Sequence, residues 1–534
     1  MNAPPTDQPP APSGYLCLVL HAHLPFVRHP EFPEFIEERW FFEAVRECYL
    51  PLLRVLQARP AEGARSRMTL SLSPTLMAML DDDLLRRRCT RHLERVAQLA
   101  ERQVRRTEGD AAYHPVARFY QVLSEANLAA WKALGEGGLI DALIAAERAG
   151  HIELMTTTAT HAFLPIWKRH PDATRRQVQV GLRSFARRIG HAAAGVWLPE
   201  CGYYPGLEKF LEAEGVRYFF LEAHGLLNGR PRPARGVYAP VRCANGVAAF
   251  ARDPESSQQV WSARTGYPAD YDYREYYRDI GPALPADELQ ALFPDADLHP
   301  ATGFKYQRIT GPGEQKAPYH PGRASEKAVA HALDFLAKKG KQAAAYRAPG
   351  QPPPAIVAPY DAELFGHWWF EGPIFLEALL AAADRSDTLA MITGSDYLDR
   401  HPELEPGAPA ASSWGARGYH EVWLNDSTAW MYPHLFRAAE RGLALPAAAH
   451  ASLDEAMKRR LLAQAQRELL LAQASDWPFM MNAGRHVAYA EKRVRDHLTR
   501  FYWVADALET GRVDEHKLKA IETVDGIFDA SLLD

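Results

Sequence analysis

Short apolar runs rich in Val, Ile and Leu, each bounded by turn residues, recur along the chain. They lie at Tyr15–Leu20, Met68–Leu72, Ile152–Thr156, Ala194–Leu198, Arg217–Leu221, Ala355–Ala358 and Leu389–Ile392. Runs of this length and composition predict buried strands. Helical spacing fills many of the intervals, and such alternation predicts a parallel α/β sheet, open or closed into a barrel; the long span favours a barrel with insertions. Two stretches break the alternation. Leu76–Arg106 and Pro115–Gly150 are helical and laced with charge, so a helical subdomain at about 76–150 is expected to interrupt the barrel. Asn228–Gly322 is rich in Pro, Gly and Tyr with weak periodicity, the pattern of a long irregular loop region. Past about residue 415 the helical period takes over. Met457, Leu461, Ala465, Leu469 and Ala472 form one apolar stripe, and Val487, Val494, Leu498, Phe501 and Leu508 another. The expected layout is a tail over 1–13, a catalytic barrel over 14–415 and an all-helical C-terminal domain over 416–534.

Composition narrows the class. The chain has 534 residues, 47 % hydrophobic and 24 % charged, with a net charge of -5. That suits a soluble protein with a sizeable core and leaves no polyanion-binding surface, so nucleic acid is not an expected partner. No apolar run approaches the ~20 residues needed to cross a bilayer. The opening MNAPPTDQPPAPS has neither a basic nor an apolar segment, so it reads as a disordered tail and not a secretory signal. Cys17, Cys48, Cys89, Cys201 and Cys243 are odd in number and lack CxxC spacing. This argues against a disulfide framework or a cysteine zinc site and fits a reducing cytoplasm. Trp numbers 12 and Tyr 22, core material that a sugar-binding cleft also needs.

Reactive side chains in a parallel α/β fold gather at the carboxyl ends of strands. Four such ends stand out: His21-Ala22-His23-Leu24-Pro25, Thr160-His161-Ala162-Phe163, Trp197-Leu198-Pro199-Glu200-Cys201-Gly202-Tyr203, and Pro359-Tyr360-Asp361 running on to Trp369. Glu200 and Asp361, each among apolar and aromatic neighbours, form a candidate carboxylate pair for glycosidic bond cleavage with retention. Glu363 and Glu371 compete for the acid role, and either carboxylate is equally readable as a salt-bridged strand end. His21-x-His23 has two meanings as well. With His161, His224 or His367 it is the start of a zinc site of a metal-dependent hydrolase; otherwise the imidazoles hydrogen-bond and pack. Trp40, Trp414, Trp423 and Trp477 all lie beside polar or charged residues, which favours a polysaccharide cleft over plain core.

These motifs, with Glu153–Pro165 and Ser475-Asp476-Trp477-Pro478-Phe479, resemble glycoside hydrolase family 57, in particular its 1,4-α-glucan (glycogen) branching enzymes, over nearly the whole chain. The resemblance implies a distorted (β/α)7 barrel with an inserted helical subdomain and an all-helical C-terminal domain. It implies retaining chemistry on α-glucan with no metal or other cofactor, Glu200 as nucleophile and Asp361 as general acid/base. His21, His23, Trp40, His161, Trp414, Trp423, Asp476 and Trp477 are then the expected substrate-binding residues. A loop tyrosine that holds off water is also implied, and Tyr238 and Tyr267 are both eligible. 4-α-Glucanotransferase, α-amylase, a metal-dependent deacetylase or amidohydrolase and an inactive glucan-binding protein stand as alternatives. The expected assembly is a monomer or small homo-oligomer.

Overall fold

The computed structural model describes residues 12–60, 63–262, 264–292 and 301–533. Most of the tail expected over 1–13 lies outside them. Ten strands form one sheet: β1 (Gly14–Ala22), β2 (Met68–Leu72), β3 (Ile152–Thr156), β4 (Gly195–Trp197), β5 (Tyr218–Leu221), β6 (Val241–Arg242), β7 (Ala248–Ala251), β8 (Ala355–Asp361), β9 (Leu389–Met391) and β10 (Glu405–Pro406). Nine of them run in the order β10-β6-β7-β5-β4-β3-β2-β1-β8, and β9 pairs with β1 off this path. From β7 round to β8 all neighbours are parallel. The strands are buried along almost their whole length, which is why they read as continuous apolar runs.

The seven parallel strands curl into a distorted barrel. Its two ends meet where the Asp253 backbone N–H, just past β7, donates to Val357 O of β8 at 2.8 Å. The Asp253 side chain is buried at this seam. It accepts from Ser256 and Gln342 and pairs with Lys339 at 3.4 Å, which fastens the long helix Pro321–Ala345 to the closure.

Membership of the barrel differs from the sequence reading at two places. The strand β7, Ala-Ala-Phe-Ala, lies inside the stretch 228–322 read as irregular; its small side chains carry almost no hydrophobic contrast. Leu389–Met391 is a strand, as expected, but it sits at the foot of β1, where Tyr15 pairs with Ala390, and shares that edge of β1 with β2. It is therefore an accessory to the barrel.

Between β2 and β3 run the helices Pro74–Asp81, Asp83–Arg106, His114–Ala133 and Gly138–Arg148. Ser73 and Asp82 cap the first two by accepting from the backbone N–H of Leu76 and Leu85. After β10 come Tyr432–Ala448, Glu455–Ala472, Asp476–Ala483, Val487–Thr510 and Glu515–Val524. Their apolar stripes face one another, with Leu461, Ala465, Val494, Phe501 and Leu508 fully buried. A buried ionic group crosses this bundle: His497 Nδ1 bonds Glu468 Oε2 at 2.7 Å, while Arg493 and Arg500 pair with Asp525. The bundle docks on the end of β3 through the Ser475 backbone N–H, which donates to His161 O at 3.0 Å.

Candidate active site

Glu200 follows β4 on the tight turn Pro199–Cys201, where Glu200 (φ +61°) and Cys201 (φ +50°) occupy the left-handed region. Non-glycine residues there cost about 1–3 kcal/mol each and persist only where surrounding structure fixes them. Here the Trp414 backbone N–H grips Glu200 O at 3.0 Å, and the Cys201 side chain is fully buried. The turn thrusts the carboxylate into the barrel mouth. Trp414 Nε1–H donates to its Oε2 at 2.6 Å, and the Ser475 hydroxyl to its Oε1 at 2.9 Å.

Because a carboxylate only accepts, the second bond orients a whole chain. With its proton on Glu200, Ser475 Oγ must accept from His161 Nδ1–H, 2.8 Å away. His161 Nε2 then accepts from His21 Nε2–H at 3.0 Å, and His21 Nδ1 accepts from the Ser71 hydroxyl at 3.0 Å. Burial pushes both imidazoles well below their ordinary pKa, with His23's charge acting in the same direction, so both stay neutral, as this single set of tautomers requires. His21 also stacks on Trp197, with ring centres 4.8 Å apart.

His23 behaves oppositely. Burial acts to lower its pKa, but Asp476, 3.2 Å from Nε2, with Glu363 and Glu200 behind, raises it. These carboxylates therefore favour its protonated form, and its ring stacks on His161 at 3.9 Å. Ligand atoms of His23, His161 and Asp476 lie within 4.8 Å of one another, the one trio at this mouth among the described residues whose spacing suits an ion. Both His161 nitrogens and His23 Nε2 are already engaged in the bonds above. Of the other imidazoles considered for a metal, His367 Nδ1 bonds Glu47 and His224 Nε2 bonds Gly418 O.

Asp361 ends β8 in register with His21 of β1. Burial, then the nearby Glu363 and Glu200, push its pKa well above the usual carboxylate range, against a smaller pull from Arg252. Glu200 is raised to about 7 by burial, with Trp414 and Ser475 opposing. The two carboxyls thus differ in surroundings: those of Asp361 favour its protonated form, while Glu200 has two donors placed for its anion. Of the competitors, Glu363 accepts from Tyr49 OH and the His23 N–H. Glu371 is buried under Tyr319 OH and the Arg274 N–H. Both are occupied as structural acceptors.

The expected aromatic residues separate into two sets. Trp40 is half-buried against His486 and Tyr489, and Trp414 bonds Glu200. Trp423 and Trp477, expected as substrate platforms, are fully buried. Trp423 stacks on Phe163 at 4.4 Å, and Trp477 Nε1–H donates to Leu471 O. Neither offers a face to a sugar; they are core beneath the site, since both follow turns that fold their rings inward. The tyrosines expected over the cleft are also elsewhere. Tyr238 stacks on Tyr346 at 3.8 Å and Tyr267 OH donates to Asp334, both against the helix Pro321–Ala345. Two site residues went unread in the sequence: Ser71, an unremarkable strand serine, and Trp261, whose ring lies 6.4 Å from that of Trp414 and which falls in the stretch read as irregular.

The family model for glycosyl hydrolase family 57 matches residues 17–405, and that for the C-terminal region of 1,4-alpha-glucan branching enzymes matches 434–531. A 1,4-alpha-glucan branching enzyme of Thermococcus kodakarensis is 33 % identical, covering 96 % of this chain and 77 % of its own length. Among solved structures, the alpha-amylase AmyC of Thermotoga maritima is 39 % identical with a TM-score of 0.89, covering 96 % of this chain and 97 % of its own. The family 57 branching enzyme of Pyrococcus horikoshii is 32 % identical with a TM-score of 0.86, covering 98 % and 97 %. By the span of the matched model and these full-length likenesses, the chain belongs to glycoside hydrolase family 57.

Proposed function

We propose that this chain is a 1,4-α-glucan branching enzyme acting by a retaining mechanism, with Glu200 as nucleophile and Asp361 as general acid/base. The observation that carries the reading is the placement of two carboxyls at one barrel mouth, Glu200 held for its anion by Trp414 Nε1–H and the Ser475 hydroxyl, and Asp361 ending β8 beside His21. In the first half-reaction Glu200 Oε attacks C1 of the glucosyl unit. The C1–O4 bond breaks and Asp361 gives its proton to the departing O4. In the second half, ionised Asp361 takes the proton of an incoming 6-hydroxyl, whose oxygen displaces Glu200 from C1 and forms the α-1,6 bond. Ser71, His21, His161 and Ser475 position the nucleophile without titrating. His23, when protonated, favours the anion that each displacement needs or regenerates.

A second reading, net hydrolysis, has one observation in its favour besides the amylase name of the Thermotoga relative. Tyr238 and Tyr267, the tyrosines eligible for holding off water, are instead engaged with Tyr346, Gln342 and Asp334. Incubation with amylose decides between the two. Branching gives α-1,6 linkages that a debranching enzyme releases, with few new reducing ends; reducing ends without such linkages overturn the proposal. Work on cytoplasmic glycogen agrees with five buried thiols, none in a disulfide. Among the described residues no helix is long and apolar enough to cross a membrane.

A further inference from the structure

The aromatic contact between Trp414 and Trp261 does not stop at the cleft edge. Trp261 lies 5.9 Å from Trp368, whose ring is 44 % exposed. Trp368 leads to His367 at 6.3 Å, His367 to Tyr276 at 5.7 Å, and Tyr276 to Tyr277 at 5.1 Å, with Tyr277 79 % exposed at the outer end. These exposed rings adjoin one another and lead back to the cleft, so they form a contiguous aromatic patch rather than scattered ones. These are also held in place. Tyr276 OH bonds His367 Nε2, and His367 Nδ1 bonds the buried Glu47. Lys305 Nζ sits 4.0 Å from the centre of the Tyr276 ring. His367 is further fixed by Gly366 (φ +121°), where a Cβ would lie 1.8 Å from Glu47 O, so the backbones touch. A polar partner stands beside the rings. Glu43, on the helix that carries Trp40, has a half-buried carboxylate whose nearest cation is Arg39 at 3.9 Å, too far for a hydrogen bond.

We infer that Trp368, Tyr276 and Tyr277, with the Glu43 carboxylate, form a distal α-glucan subsite continuous with the cleft. It would bind chain several glucose units from the reacting bond. Ring faces stack on the flat C–H faces of the sugars, and Glu43 accepts from their hydroxyls. The subsite rests on the α-glucan reading of the preceding section and adds to it a preference for long chains.

The test compares kcat/KM on long amylose with kcat/KM on maltoheptaose, for the parent and for Trp368→Ala, Tyr277→Ala and Glu43→Gln. Trp368→Tyr serves as the rescue. Loss of one stacked ring lowers the long-to-short ratio about tenfold for Trp368→Ala, the size of a single stacking contact, and Trp368→Tyr restores most of it. Binding of long amylose to an Asp361→Ala background should weaken by a like factor when Trp368→Ala is added. An unchanged ratio and unchanged binding in Trp368→Ala and Tyr277→Ala overturn the subsite. A parent enzyme that leaves both glucans uncut overturns instead the functional reading beneath it.

Discussion

The Trp414 indole is the most direct handle on the nucleophile. Trp414→Phe keeps a ring against Trp197 but removes the Nε1–H that meets Glu200 Oε2 at 2.6 Å. A hydrogen bond to a charged group contributes about 1.5–3 kcal/mol, equivalent to about one to two pKa units. The bond favours the anion, so its loss moves the Glu200 pKa upward from about 7. At neutral pH the ionised fraction then falls from about half to about 1–10 %, and kcat/KM by roughly 5- to 50-fold. The assay is the pH profile of kcat/KM on an oligosaccharide long enough to fill the cleft, because this constant reports the free enzyme. Its acid limb should shift upward by about one to two pH units, with activity returning as the pH rises. The alkaline limb, set by Asp361, stays in place, so the bell narrows. If the acid limb does not move and only KM rises, Trp414 is a sugar platform and the argument from its N–H fails.

Four further outcomes follow from the same geometry. Glu200 binds a proton more tightly folded than unfolded, so between about pH 4.5 and 7 stability falls as pH rises; Glu200→Gln should stabilise the inactive protein by ~1–3 kcal/mol above that window and not below it, measured by urea denaturation. Asp361→Ala should stop turnover of ordinary glucans yet accept an activated α-glucosyl donor, with azide yielding α-glucosyl azide; Glu200→Gln should yield none, and the reverse pattern would exchange the two roles. Trp423→Ala and Trp477→Ala should each cost about 3–5 kcal/mol in chemical denaturation, and a loss confined to glucan binding would return them to the cleft. Asp525→Ala strips Arg493 and Arg500 of their buried partner and should cost about 3–5 kcal/mol, seen as a lower thermal midpoint of the whole chain.

Strand ends were legible because burial on both faces writes uninterrupted apolar runs, and reactive residues then follow at once. His21, His161, Glu200 and Asp361 were picked as candidates in that way. Whether an indole faces in or out was not legible. Trp414 and Trp423 both stand among polar neighbours, yet one bonds the nucleophile and the other is core, because the decision depends on Phe163 from a distant segment. The polar relay was invisible for a similar reason. Ser71 and Ser475 are 404 residues apart in the sequence numbering, and only the pairing of β1 with β2 and the docking of the helical bundle bring them into line. β7 was missed because alanine in a strand carries no signature that alanine in a loop lacks.

The seam between β7 and β8 has a geometric consequence. Glu200 ends β4 and Asp361 ends β8, and along the sheet these strands are separated by β3, β2 and β1. The gap between the carboxyls is thus the chord of an arc, and no bond given above spans it directly. A retaining enzyme requires that chord to be about 5–5.5 Å, while its length follows from the summed twist of five strands and the point where the arc is pinned. Asp253 and Lys339 pin it at the β7–β8 seam. A substitution there, or a volume change in the barrel core, acts on the reaction as a change of curvature, altering rate without touching a residue that meets the sugar.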